Sequence, residues 1–451
     1  MRLTKILLFL FCGLAFTSYS QTLKSQVAKN VQRPNIIFIL VDELRYNALS
    51  CMGHPFVKTP NIDRLAKEGM LMKNAYITNP VCSPSRATFL TGQYAQAHGV
   101  IKNTKYNAMT HKMITYPLLL QKSGYSTAFI GKWHMGDDYT PRPGFDRWVC
   151  AGGNKEPKVN SPMNIDGETV QTQGHVTDVL TDETIKFIKG YGNKNKPFCI
   201  SLFHKAVHGP YKPAERNKDL YKNEPIVRTI SATSPVVGKP ALVGKNGQPP
   251  ETDEAIRNQL RMLVDIDDGV GRILKTLEEE NILDKTFIVF TSDNGYLWGE
   301  HGQGQKRLAY EESIKVPMLV RYPALVKAGS TSNASILNID FAPTFLDLAQ
   351  VPLHPQMKGQ SILSVFKGKP LKNRESLLFE YYLEPTGIPS WKAIRTDRYK
   401  YINYTDLKDC NELYDLKKDP NEMQNLIKES QASVLVKKME SELQRLVADF
   451  K

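Results

Sequence analysis

Two apolar runs, far apart in the chain, limit its fold more than any other feature. Asn35–Val41 reads NIIFILV and stops at Asp42-Glu43; Thr286–Thr291 reads TFIVFT and stops at Ser292-Asp293-Asn294-Gly295. A strand covered on one face alternates apolar and polar residues. An unbroken β-branched and aromatic run fits a strand covered on both faces, as in a parallel sheet between helices. Phe198–Phe203 and Val316–Arg321 have the same character, and Asn61–Gly69, Thr181–Lys189 and Asp253–Asn281 carry helical spacing. This alternation predicts an α/β sandwich with a large, mostly parallel central sheet flanked by helices. Ligands in such sheets lie beyond the carboxyl ends of the strands, where Asp42 and Asp293 fall.

With 451 residues the chain is long enough for one large core and a smaller unit. From about Glu375 the pattern shifts to short alternating runs, Ser376–Tyr381, Ala393–Arg395 and Tyr399–Tyr404, followed by an amphipathic stretch, Val434–Phe450. These predict a small α+β domain of antiparallel strands and a helix over residues 371–451, after a main domain over 21–370. Within the main domain, residues 229–252 are rich in Pro, Gly, Ser and Thr without a period, which predicts a surface insertion. Residues 1–20 read as a secretory signal: Arg2 and Lys5, an apolar run from Ile6 to Phe16, and Ser18-Tyr19-Ser20 before Gln21. The protein is therefore expected to be exported, to a periplasm or as a secreted protein. The apolar run is too short to span a bilayer, so no stable membrane insertion is expected.

The net charge is +13 and the pI about 9.2. The basic residues are spread along the chain with no compact Lys/Arg run, which argues against nucleic acid and for a polyanion outside the cell. Of the six cysteines, Cys12 leaves with the signal; Cys51, Cys150, Cys199 and Cys410 have spacings that assign no pairing.

The chemistry-bearing residues cluster around the predicted strand ends. Asp42, Glu43, Asp293 and Asn294 make an all-oxygen set, suited to a hard divalent cation, calcium before magnesium, and unsuited to structural zinc. Lys132 and His134, two apart in GKWHMG after an apolar run, face one side of an extended segment and can bind an anion and move a proton. His208, in HKAVHGPY, can protonate a departing alkoxide, and Lys306, in GQGQKRLAYEE, can neutralise an anionic oxygen. Pro84 is expected to open a helix whose free N–H groups suit an anion beside residue 82. His204, His301 and Arg307 are candidate substrate contacts.

Cys82-Ser83-Pro84-Ser85-Arg86 fits C-x-P-x-R, the signal at which a maturase oxidises cysteine to formylglycine. Together with VDELRYNALSCMGHPFVKTPNIDRLAKEG, GKWHMG, HKAVHGPY, SDNGYLWGEHG and KRLAYEESIKVPMLVRYP, it makes the chain resemble the formylglycine-dependent type I sulfatases of the alkaline phosphatase superfamily. The likeness runs from Pro34 to about Leu426 and is nearest the polysaccharide and N-acetylglucosamine-6-sulfatase-like branch. It implies an alkaline-phosphatase-like sandwich and a formylglycine formed from Cys82. It also implies a calcium held by Asp42, Glu43, Asp293, Asn294 and the residue-82 oxygen. Arg86, Lys132, His134, His208 and Lys306 would complete the catalytic set. Where the family has a second aspartate after the first strand, this chain has Glu43. The implied partners are a formylglycine-generating maturase and a sulfated glycan, from a glycosaminoglycan or an alga. Two other readings stay open from the residues: a phosphonate or phosphate monoester hydrolase of the same superfamily, and a non-catalytic protein that binds sulfated glycans.

Overall fold

The computed structural model describes residues 33–152, 157–191, 196–242, 249–371 and 374–450. The expected signal, residues 1–20, lies outside them. In chain order the strands are β1 (Asn35–Val41), β2 (Met70–Tyr76), β3 (Ser126–Lys132), β4 (Arg147–Ala151), β5 (Pro162–Ile165), β6 (Glu168–Gln171), β7 (Phe198–Phe203) and β8 (Thr286–Ser292). They continue with β9 (Leu297–Trp298), β10 (Gly304–Gln305), β11 (Lys315–Arg321), β12 (Ser330–Leu337), β13 (Leu377–Tyr381), β14 (Trp391–Arg395), β15 (Tyr399–Tyr404) and β16 (Glu412–Asp415).

Ten of these strands form one mixed sheet in the order β12-β2-β11-β8-β1-β7-β3-β4-β5-β6. The central block β8-β1-β7-β3-β4 is parallel throughout, while β11 runs antiparallel to both its neighbours. Successive side chains of β1 leave opposite faces, as the pleat requires. Ile37, Ile39 and Val41 join a core with residues of the helices Pro60–Lys67, Val176–Tyr191 and Asp253–Glu279. Ile36, Phe38 and Leu40 join another with the helices Cys82–Thr91, Tyr116–Lys122 and Phe341–Leu348. The result is the helix–sheet–helix sandwich predicted from the two-faced apolar runs.

Register places the functional rim. Val41 of β1 is opposite Ser292 of β8, Leu40 is opposite Phe203 of β7, and Gly131 of β3 is also opposite Phe203. The carboxyl ends of four strands thus stop at one level. Gly131 is needed there: its φ is +131°, and a Cβ would lie 1.8 Å from the Phe203 carbonyl oxygen.

The small sheet β13-β14-β15-β16 is antiparallel throughout and is followed by the helix Ser433–Asp449. Its core includes Phe379, Trp391, Tyr401 and Tyr414, and continues into Tyr76, Leu337 and Tyr310 from the end of the large sheet. Several boundaries differ from those expected. The helix expected over Thr181–Lys189 starts earlier, at Val176. β2, β12 and β16 were not expected, because their sequences mix exposed polar and buried apolar positions or are very short.

Two predictions follow from the packing. The Phe38 ring lies 5.2 Å from Phe89 and 5.4 Å from each of Phe203, Phe341 and Phe345. Phe38→Ala is expected to cost about 3–5 kcal/mol, read as a lower denaturant midpoint. His98, behind the Cys82–Thr91 helix, accepts a hydrogen bond at Nδ1 from Val100 N–H at 3.1 Å, and its Nε2 lies 3.1 Å from Thr88 Oγ1. Burial pushes its pKa down to about 3. The unfolded chain takes this proton near pH 6.5 and the folded one does not. Stability is therefore full above that pH and is lost as pH falls toward the folded value. Unfolding measured at pH 7 and pH 5 is expected to show the advantage over His98→Gln shrinking by about 2 kcal/mol.

Candidate active site

At the rim, main-chain bonds tie the strand ends together before any side chain acts. Asp293 N–H donates to Val41 O at 3.0 Å, Asp42 N–H to Ala206 O at 2.9 Å, and Val207 N–H to Asp42 O at 2.9 Å. Glu43 N–H donates to Asp293 Oδ1 at 3.1 Å and Leu44 N–H to Ser292 Oγ at 2.8 Å. Glu43 itself has φ +67°, and His134 and Arg307 have φ of +62° and +86°. Non-glycine residues in this region are uncommon and concentrate at functional sites.

Cys82 begins a helix that the sequence was expected to start at Pro84. The helix runs Cys82–Thr91 with Val81 as its N-cap. Proline is tolerated in the first turn because an N–H there has no partner within the helix. Cys82 thus sits at the open end of the helix, fully buried. No side chain caps the helix from Val81, but Ser83 N–H donates to Asn103 Oδ1 at 3.0 Å.

Around Cys82 Sγ lie Lys306 Nζ at 3.1 Å, Asp42 Oδ1 at 3.4 Å, Asn294 Oδ1 at 3.7 Å and Glu43 Oε1 at 4.0 Å. Asn294 spends its Nδ2 on Gly295 O at 2.9 Å, which leaves Oδ1 turned to the centre. Arg86 grips Asp293 Oδ2 with Nε and Nη2, both at 2.8 Å, and its Nη2 is 3.7 Å from Asp42 Oδ1. Arg86 also donates to the Lys132 carbonyl. Lys132 Nζ bonds Asp42 Oδ2, and Lys306 Nζ pairs with Glu43 Oε1. His208 Nε2 lies 3.1 Å from Glu43 Oε1, and its Nδ1 is 2.7 Å from Gly209 O. The His208 side chain is 21% exposed, so the cluster meets solvent on that side.

Lys132 is the last residue of β3, and His134 lies past its end in the left-handed region. The simple extended geometry expected for the pair therefore stops at Lys132. Ser83 Oγ anchors His134, donating to its carbonyl and lying 3.4 Å from its Nδ1.

The electrostatics follow from crowding charges without water. Burial pushes Asp42 up, but Lys132, His208 and Arg86 outweigh it and hold the carboxyl well below its usual range. Its neighbour Asp293 is pushed up to about 7 by burial and by the Asp42 charge, against Arg86 and Lys132. Burial and the Asp42 charge also push the Cys82 thiol well above its ordinary range, so it is not a ready thiolate. Burial and the charge of Lys132 lower both His134 and His208, the latter to about 4. Asp42, Asp293, Glu43 and Asn294 bring side-chain oxygens to one buried point beside Cys82. The donor set is oxygen-rich and hard, and fits a calcium-type ion better than a thiophilic one.

The other expected residues are placed differently. His204, just past β7, is 1% exposed, and burial lowers its pKa to about 3. His301 is 2% exposed and packs tilted against Tyr310 with ring centroids 4.0 Å apart, with Glu312 Oε2 3.8 Å from its Nε2. Neither offers surface to a sugar in this conformation. Arg307 adjoins Lys306, and its Nε bonds Glu384 Oε2 at 2.6 Å. Glu384 Oε1 also accepts from Asn103 N–H at 2.6 Å. Asn103, Glu384 and the buried Lys158, which donates to the Lys205 and His208 carbonyls, were not expected. They lie in segments without period or motif, so only the fold brings them to the site.

Comparison with known proteins agrees with this geometry. The sulfatase family profile matches residues 34–351, and that for the C-terminal part of N-sulphoglucosamine sulphohydrolase matches residues 299–449. The chain is 32% identical to the N-acetylglucosamine-6-O-sulfatase of Bacteroides thetaiotaomicron, over 93% of this chain and 87% of that one. It is 29% identical to the ulvan-active sulfatase of Formosa agariphila, over 93% and 82%. Among solved structures it resembles BT4656 in complex with its substrate D-glucosamine-2-N,6-O-disulfate, with a TM-score of 0.86, 30% identity, and coverage of 93% of this chain and 98% of that one. The carboxylate-and-cation cluster at the sheet rim, the shared fold and these matches lead to one conclusion: the chain belongs to the sulfatase family of the alkaline phosphatase superfamily and is a sulfuric ester hydrolase.

Proposed function

We propose that the protein removes sulfate from a sulfated polysaccharide or its oligosaccharides, with a 6-O-sulfated glucosamine unit as the first candidate, using formylglycine formed from Cys82. The observation that carries the reading is the convergence of an ammonium and three side-chain oxygens on Cys82 Sγ, at 3.1–4.0 Å. The sugar is supported by the names of the N-acetylglucosamine-6-O-sulfatase relative and of the glucosamine-disulfate complex. The +13 net charge supports a polyanion. Export is part of the proposal, and no helix among the described residues is long and apolar enough to cross a membrane.

Asp42, Asp293, Asn294 and Glu43 would hold calcium through oxygen, in place of the contacts that Lys132 and Lys306 now make to Asp42 and Glu43. With both in place, a formylglycine hydrate would supply one hydroxyl to attack sulfur and another to release sulfate, and calcium would neutralise oxygen charge beside it. Arg86 orients Asp293 and favours its ionised form. Lys132 and Lys306 neutralise charge growing on the sulfuryl oxygens, at fixed positions and without water. His208, on the solvent side, would act as the imidazolium: its Nδ1–H donates to Gly209 O, and its Nε2–H, which faces Glu43 Oε1 at 3.1 Å in this structure, would pass its proton to the departing sugar oxygen, leaving the neutral ring that burial favours. His134 accepts a proton from the residue-82 side chain.

Sulfate release across defined sulfated saccharides tests the reading. The 6-O-sulfate of N-acetylglucosamine is expected to be cleaved at least about tenfold faster than a matched phosphate monoester, and Cys82→Ser is expected to lose at least about 1,000-fold in kcat. A Cys82→Ser protein that turns over normally contradicts it. Dialysis against a calcium chelator is expected to abolish release, and added Ca2+ to restore it before Mg2+ does. Unchanged turnover after metal removal, checked by elemental analysis, contradicts the oxygen site.

A further inference from the structure

The segment from His204 to Lys212 carries His208 and is pinned from two sides. On one side Asp42 exchanges main-chain hydrogen bonds with Ala206 and Val207. On the other stands Lys158, 2% exposed and remote in sequence from every motif described above. Its Nζ donates to Lys205 O at 3.0 Å and to His208 O at 2.9 Å. Lys158 is itself held: Val176 N–H donates to its carbonyl at 2.8 Å. Its neighbour Val159 bridges His175, whose Nε2 is 3.0 Å from Lys212 O.

A buried ammonium is costly unless hydrogen-bonded. Here its donors go to the two carbonyls that bracket the turn carrying the imidazole. The Lys158 amine directs its hydrogen bonds to backbone, and it feels Asp42 and Lys132 only as charges. We infer that Lys158 is a positioning residue for proton transfer: by clamping the Lys205 and His208 carbonyls it sets where His208 Nε2 points. The inference rests on the reading of His208 as the proton donor. Loss of the clamp removes the ammonium's hydrogen bonds to both carbonyls and loosens the turn. A displacement of about 1 Å at a proton donor costs about 100-fold. The loss falls only on leaving groups that need a proton. A sugar alkoxide needs one, whereas nitrophenolate leaves without help.

The test compares kcat and KM of the metal-loaded, formylglycine-bearing enzyme on 6-O-sulfo-N-acetylglucosamine and on 4-nitrophenyl sulfate. Lys158→Met is expected to lower kcat on the sugar about 30- to 100-fold and on the aryl ester under about threefold, with KM changing less than about threefold. Lys158→Arg is expected to recover most of the sugar activity. His208→Ala is expected to show the same preference, more strongly, and Lys158→Met to add nothing in that background. If Lys158→Met does not yield folded protein, Lys158→Gln, whose amide keeps two donors, replaces it with the same preference at smaller amplitude. Equal loss on both substrates, no loss, or full additivity with His208→Ala overturns the inference. A His208→Ala enzyme that loses both substrates equally overturns the His208 assignment, and this inference with it.

Discussion

The site depends on a balance of buried charge. Asp42, Glu43 and Asp293 face Arg86, Lys132 and Lys306 at the end of the central sheet, all buried. Removing any one of these ions would leave another buried without a counter-charge, a loss of about 3–5 kcal/mol. The cluster exists because parallel strands end together: β1 contributes the residues after Val41, β8 those after Ser292, β3 its last residue, and β7 the turn that bears His208. The cations stand in for the water that burial takes from the anions.

The small antiparallel sheet does more than cover an edge. Between β13 and β14, Glu384 bonds Arg307 and the main chain of Asn103, which in turn caps the Cys82 helix through Ser83 N–H. Trp391 Nε1 donates to Arg307 O at 2.7 Å. The loop carrying Lys306 and the helix carrying Cys82 are thus braced by one side chain from the C-terminal part of the chain. Arg307 holds a left-handed backbone under this restraint, beside the lysine that touches Cys82 Sγ.

Much of this could be read from the residues, for identifiable reasons. β1, β7 and β8 announce themselves because both faces are buried, so the run stays apolar. The acids that follow them were legible as strand-end residues. β2, reading MLMKNAY, hides because it is neither uniformly apolar nor cleanly alternating. The helix start at Cys82 was displaced by two residues because proline is permitted throughout the first turn. Asn103, Lys158 and Glu384 were invisible because their partners are brought near only by folding. His204 and His301 carried motif company but lie buried, for which linear sequence has no signal.

The central claim is that this charged cluster is built around an oxygen-bearing residue at position 82, made after translation, beside a hard cation. The most direct measurement is the mass of the tryptic peptide containing residue 82, from protein isolated from its native host and active in sulfate release. The account predicts the mass of the aldehyde or its hydrate. A peptide carrying an unmodified thiol in fully active protein would contradict it.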